Sequence, residues 1–153
     1  LRGRRAVTYE LRDHTADVAV EATADTLSAL FAAVANGLTA ASAESVPTVG
    51  ERFELEVSSE SREALLFDYL DRLIYERDVR LVLPADHRCT VREPGEAGPA
   101  GESSDAGEWR LAADARGVPL DAVAAREIKA VTYSEMALEP RGGGWYAYVV
   151  FDV

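Results

Sequence analysis

Cysteine, methionine and lysine each occur once in the 153 residues, and histidine twice. The single Cys89 excludes an internal disulfide and a multi-cysteine zinc site, and it fits a reducing compartment. With only His14 and His87 present, a nucleophile activated by histidine has little to draw on. No serine, Ser134 included, stands in the strand–turn–helix setting of a hydrolase nucleophile. Basic residues are also scarce: 16 Lys and Arg against 27 Asp and Glu leave a formal net charge of −11. That balance argues against broad binding to nucleic acid or anionic membrane, because phosphate contacts need clustered cations. It leaves room for a basic protein that itself holds RNA. No stretch approaches the ~18–20 apolar residues of a membrane span. The basic start, Leu1-Arg2-Gly3-Arg4-Arg5, is not followed by the apolar run of a signal peptide. The expectation is a soluble, cytoplasmic protein.

What is present is ample core material. Hydrophobic residues make up 48% of the chain, and its length suits one domain, typically ~100–150 residues. A first helix is expected after Asp25 or Thr26, either of which can cap it. Leu27, Leu30, Phe31, Val34 and Leu38 then form its apolar stripe, and Gly37 falls near its end. A second helix is expected after Ser59 or Ser61, running to about Arg77. Its buried face is Leu66, Tyr69, Leu70, Leu73 and Ile74, with Asp68, Asp71, Arg72 and Glu76 outside. Most other segments alternate with period two, as half-buried strands do. These are Ala6–Leu11, Asp17–Ala22, the run around Phe53, Leu55 and Val57, Arg80–Leu83, Arg88–Arg92, Trp109–Ala113, Glu127–Leu138 and Trp145–Val153. Gly142-Gly143-Gly144 reads as a hairpin turn and lacks the continuation of a phosphate loop. Residues 93–108 carry five acids, no bases and almost nothing apolar, and they predict a mobile acidic loop. Strands outnumber helices without regular interleaving, so the expected fold class is α+β, mostly antiparallel strands packed with two amphipathic helices.

Three places carry candidate chemistry. In Asp13-His14-Thr15-Ala16-Asp17-Val18 the two aspartates are hard oxygen donors suited to Mg²⁺, Mn²⁺ or Ca²⁺. Asp and Thr also satisfy their own backbone in turns, and the spacing alone leaves both readings open. In the last run Trp145, Ala147, Val149, Phe151 and Val153 share one face, so Asp152 lies on the other beside Tyr146, Tyr148 and Val150. If Val153 ends the chain, its carboxylate adds a second charge; two such groups need a cation, a donor cluster or open water. The one lysine, Lys129, is set by alternation on the face of Val131 and Tyr133. A compact ammonium or simple chance explains its survival among fifteen arginines. His87 and Cys89 share a strand face, bring no second pair of metal ligands, and read as ordinary strand residues.

These runs resemble the archease family, activators of RtcB-type tRNA-splicing RNA ligases. The resemblance rests on three ordered blocks spanning nearly the whole chain. The first is Asp13–Val18 with the helix opening Asp25-Thr26-Leu27 through Phe31. The second is Leu65-Leu66-Phe67-Asp68-Tyr69-Leu70-Asp71-Arg72-Leu73-Ile74. The third joins Ile128-Lys129-Ala130-Val131-Thr132-Tyr133 to Trp145–Val153. It implies an archease-like domain over residues 1–153 and a non-enzymatic protein that helps the ligase acquire guanylate at its active-site histidine and turn over repeatedly. Implied metal-site residues are Asp17, Asp152 and the terminal Val153, holding a divalent ion (Ca, Mg or Mn). The implied functional lysine is Lys129, and His14 is placed behind the ligands in support. The implied partner is the RtcB-type ligase, with no stable nucleic-acid contact and no membrane. The sequence departs from the family at Ser134 and at Asp121-Ala122-Val123-Ala124-Ala125, where histidines are frequent, and residues 93–108 look inserted. A competing expectation is a metal-dependent phosphohydrolase using Asp17 and Asp152 to activate water. It lacks a general base and a basic phosphate clamp. A purely structural binding module is a third.

Overall fold

The computed structural model describes residues 17–96 and 107–153 in full and residues 7–11 by their backbone. Its described elements are β1 (Val7–Leu11), β2 (Asp17–Ala24), α1 (Leu27–Ser42), β3 (Glu51–Ser59), α2 (Arg62–Arg80), β4 (Val82–Arg92), β5 (Trp109–Pro119), β6 (Ala130–Arg141) and β7 (Gly144–Asp152), with a short 3₁₀ turn at Leu120–Ala122. One sheet has the order β1-β2-β7-β6 and the other β3-β5-β4, and every pairing is antiparallel. This is the expected α+β class. Each helix touches strands of both sheets. The main core is therefore shared by both sheets and both helices, from Val18, Val20, Val149 and Phe151 through Leu30, Phe31, Leu66 and Tyr69 to Leu55 and Leu111.

Local chemistry sets the helix ends. Thr26 caps α1, its hydroxyl accepting from the Ala29 N–H at 3.0 Å, and Ser61 caps α2 the same way through Ala64. Ser59 instead donates to Asp68 at 2.6 Å. Gly37 does not end α1; it is buried within the helix, which runs on to Ser42. Helix α2 extends three residues past Arg77 and closes on Leu81 in the left-handed region, φ 58°. Glu76 was expected outside and is instead 5% exposed, held between Arg72 (2.7 Å) and Arg80 (2.5 Å). Those two guanidiniums hold its carboxyl below the usual range against the opposing effect of burial. A glutamate one turn from two arginines can enter the core because its charge enters neutralised.

Two of the expected strands, Arg80–Leu83 and Arg88–Arg92, form one strand, β4, with Arg80 assigned to the helix. The register slips between Ala85 and Arg88, where Asp86 adopts φ 51°. A bulge of this kind lets Pro84 and Asp86 sit in a continuous strand without breaking it. Beside β4, α1 supplies side chains for strand N–H groups: Ser28 Oγ accepts from Val91 (2.9 Å) and Asn36 Oδ1 from His87 (3.1 Å). Eight helical residues rise about 12 Å and four strand residues about 13 Å, so helix and strand keep step. A helix thus covers an edge that would otherwise invite another strand.

The β6–β7 hairpin turns at Gly142 and Gly143, both at positive φ (60° and 84°), as a two-residue mirror-image turn requires. Gly144 is already in β7, where a Cβ would come within 2.6 Å of the Ala24 carbonyl oxygen. Residues 97–106 of the expected acidic loop lie outside the described residues. At its start the chain turns, Glu96 N–H donating to the Glu93 carbonyl at 3.0 Å.

Candidate functional site

The pairing of β2 with β7 decides where the candidate ligands fall. Val18 faces Phe151, Val20 faces Val149 and Ala22 faces Ala147, all six at most 1% exposed. A slip of one residue would turn all of them toward solvent, so the buried faces fix the register. That same register makes Asp17, the first residue of β2, the direct partner of Asp152, the last of β7. Directly opposed side chains share a face with Cβ atoms ~4.5–5.5 Å apart. Two carboxylates from nearly opposite ends of the sequence therefore sit side by side. Asp152 is exposed, whereas Asp17 is half-buried, its Oδ1 shut off from solvent.

The third strand completes the row. Ala130, at the start of β6, pairs with Asp152 from its other side, and the Lys129 N–H donates to the Asp152 carbonyl at 2.8 Å. Lys129 thus reaches the site through its backbone, and its side chain is exposed. The expected alternation fails here: Ile128 (3%) and Val131 (6%) are both buried, and Lys129 precedes the strand. Tyr133 leaves the alternation as well, because β6 bulges between Thr132 and Ala137. The incoming chain is tied to the end of α1 instead, with Arg126 N–H donating to the Ser42 carbonyl (2.8 Å) and Arg126 Nε to the Ala41 carbonyl (2.9 Å). Val153 packs half-buried against the core just beyond Asp152. His14 lies outside the described residues.

Facing carboxylates are hard oxygen donors of the kind Ca²⁺ and Mg²⁺ take. Among the described residues no three His, Cys, Asp or Glu side chains gather in metal-binding reach. A cation here would thus rest on Asp17, Asp152 and backbone oxygen, an open arrangement rather than a closed cage.

Other titratable groups are engaged elsewhere. His87 is buried in the β4 bulge. Thr39 donates to the Pro84 carbonyl at 2.7 Å, so His87 Nε2, 2.9 Å from the Thr39 hydroxyl, is the donor of that pair. Burial pushes His87 down to about 4, which keeps it neutral at pH 7. Cys89 donates to the Tyr69 hydroxyl at 3.2 Å, and burial pushes its thiol up to about 12. Neither offers a nucleophile or a base to the carboxylate pair. Asp86 is held low by its pairing with Arg116. Sequence periodicity missed an exposed feature: Tyr133, in the β6 bulge, stacks flat on Phe67 of α2 with centroids 4.0 Å apart. No periodic pattern marks a bulge of that length.

A small α+β domain whose sheet register brings two carboxylates together at one end is the class this fold defines. The sequence model of the Archease protein family matches residues 9–153, and the chain belongs to that family. It is 35% identical over 150 residues to the protein archease of Methanosarcina mazei, covering 95% of each chain. To that of Thermococcus gammatolerans it is 34% identical over 151 residues, covering 95% of this chain and 98% of the relative. The solution structure of protein 1598 from Methanobacterium thermoautotrophicum superposes with a TM-score of 0.70 at 25% identity, over 95% of this chain and 98% of that one. The crystal structure of an archease from Thermotoga maritima, described as a possible chaperone, shares the fold across 100% of both chains, with a TM-score of 0.59 at 21% identity. No described helix is long and apolar enough to cross a membrane.

Proposed function

We propose that this protein is a cytoplasmic, non-enzymatic activator of an RtcB-type tRNA-splicing RNA ligase, promoting guanylylation of the ligase and its multiple turnover. In this reading Asp17, Asp152 and a main-chain oxygen of Val153 hold a divalent cation, Ca²⁺, Mg²⁺ or Mn²⁺. Lys129 acts on the ligase beside that cation, and His14 supports the ligands. The protein makes no stable contact of its own with RNA. The observation that carries the reading is the direct pairing of Asp17 with Asp152, with Lys129 bonded through its backbone to the same residue. Two carboxylates set opposite each other favour a cation shared between them. The partner is the one that the sequence's resemblance to archeases implies.

Hard oxygen ligands suit labile binding, so the cation can be positioned against, or passed to, the ligase. The test is a ligation assay with the cognate ligase and RNA in large excess. Added protein should convert a single round of ligation into many, and Asp152→Ala should abolish that gain while its circular dichroism matches the wild type. Full stimulation by Asp152→Ala would sink the reading.

A further inference from the structure

We infer that the solvent face of α2, together with the adjoining Tyr133, docks a basic amphipathic segment of the ligase; this rests on the activator reading above. Five large hydrophobic side chains are strongly exposed among the described residues, and four lie on α2, at its end or against it. Tyr75 and Val79 stand one turn apart in the middle of the exposed face, 58% and 59% exposed, and Leu81 closes the helix at 65%. Tyr133 is 56% exposed although it stacks on Phe67 of the same helix. Exposed apolar groups scattered singly need no explanation, but a run along one helix marks an interaction surface, and tyrosine is enriched in such surfaces.

Charge along the helix selects the occupant. Asp68, Asp71 and Asp78 are all exposed. The arginines are turned to other tasks: Arg72 and Arg80 grip buried Glu76, and Arg62 lies over the Trp145 ring at 4.9 Å. Arg77 lines a small pocket with Ile74, Leu73 and Ile128. The outward face is therefore apolar and anionic, with Arg72 and Arg80 partly exposed but committed to Glu76. A second copy of this chain would bring the same acids and a net charge of −11 onto that face, so self-association is opposed. A cationic partner with apolar side chains is complementary, and a protein that binds RNA must carry basic surface. The pocket also places Ile128, and so Lys129 next to it, alongside the C-terminal half of α2. One partner can then engage helix face and carboxylate pair together.

The test uses two double variants at exposed positions, Tyr75→Ala with Val79→Ala, and Asp71→Lys with Asp78→Lys, each checked for a wild-type melting profile. Calorimetric titration against the cognate ligase should show Kd weakened about tenfold or more in each. The charge variant should also lose most of the salt dependence of binding. Half-maximal stimulation of ligation should need correspondingly more protein, with the maximal stimulation unchanged because Asp17 and Asp152 are intact. Wild-type affinity in both variants, with stimulation by the wild type present, overturns the docking surface and leaves the activator reading standing. Absence of stimulation by the wild-type protein removes the activator reading and this inference with it. If the first variant instead dissolves a dimer seen by ultracentrifugation, or removes a gel shift of RNA alone, while ligase affinity is unchanged, the occupant is another copy or RNA and the inference falls.

Discussion

Two regions of this molecule bring polar side chains together across secondary structure, and they follow opposite rules. Along the seam between α1 and β4, donors meet acceptors: Ser28 and Asn36 accept strand N–H groups, and Thr39 joins His87 to the Pro84 carbonyl. At the end of the four-stranded sheet, two groups of the same charge are made neighbours by the register of apolar residues behind them. The seam joins groups of opposite role within the fold, from exposed Asn36 to buried Thr39 and His87, and leaves His87 Nδ1 as its one buried atom without a hydrogen bond among the described residues. The carboxylate pair opens to solvent at Asp152, where the proposed cation would bridge the two strands. Polar clusters of the first kind stabilise a fold by pairing donors with acceptors, whereas like charges set opposite each other do not.

The largest effect expected from this contrast lies at the seam. His87 is held neutral, with its pKa at about 4 instead of the ordinary 6.5. Between those values the unfolded chain takes up a proton that the folded one refuses, so stability is intact above pH 6.5 and falls as the pH drops toward 4. A gap of that size corresponds to a loss on the order of 3 kcal/mol. Asp86, Arg52, Asp114 and Arg77 surround the ring, and Asp86 and Glu76 add their own acid-side losses at lower pH. The contribution of His87 is therefore read as a difference: urea midpoints from pH 7 to 4 for the wild type against His87→Gln. Parallel curves would show that the buried ring is not what responds.

How much of this was legible in the sequence divides along the same line. The facing of Asp17 and Asp152 is expected through the archease resemblance alone, because alternation assigns faces within each strand but does not say that β2 pairs with β7. The seam was not legible. His87 read as an ordinary strand residue, since nothing in its local pattern announces a bulge or a helix lying beside the strand. Glu76 was misplaced for a related reason: its partners Arg72 and Arg80 flank it on the same helix, and neutralisation, not hydropathy, takes it inside. Lys129 was misassigned to a strand face because alternation was extended over three residues that precede β6. Period-two reasoning fails at bulges, as at His87 and Tyr133, and at the entry to β6, where Lys129 lies.

The next effect in size belongs to the carboxylate pair. A cation bound only by the folded state stabilises it by about 2.7 kcal/mol at a hundred times its Kd. Thermal melts with and without Ca²⁺, Mg²⁺ or Mn²⁺ should show that gain for at least one ion, and Asp152→Asn should erase it. A melting temperature indifferent to all three would remove the cation from the proposal. Smaller again is Ser28→Ala, which leaves the half-buried Val91 N–H without its acceptor. It should cost about 1 kcal/mol in urea unfolding, independent of metal.

The smallest effect is the most discriminating between the two kinds of region. Without metal, Asp152→Asn removes one charge from a like-charged pair at its exposed member. Its stability should stay within about 0.5 kcal/mol of the wild type, with the sign toward stabilisation because cross-strand repulsion is relieved. The measurement is paired urea unfolding in chelator, wild type against variant, at low and high salt. Any stabilisation should shrink as salt screens the repulsion between the two carboxylates. A clear loss of stability in chelator would instead mean that Asp152 supports the fold as the seam residues do, and the contrast between the regions would collapse.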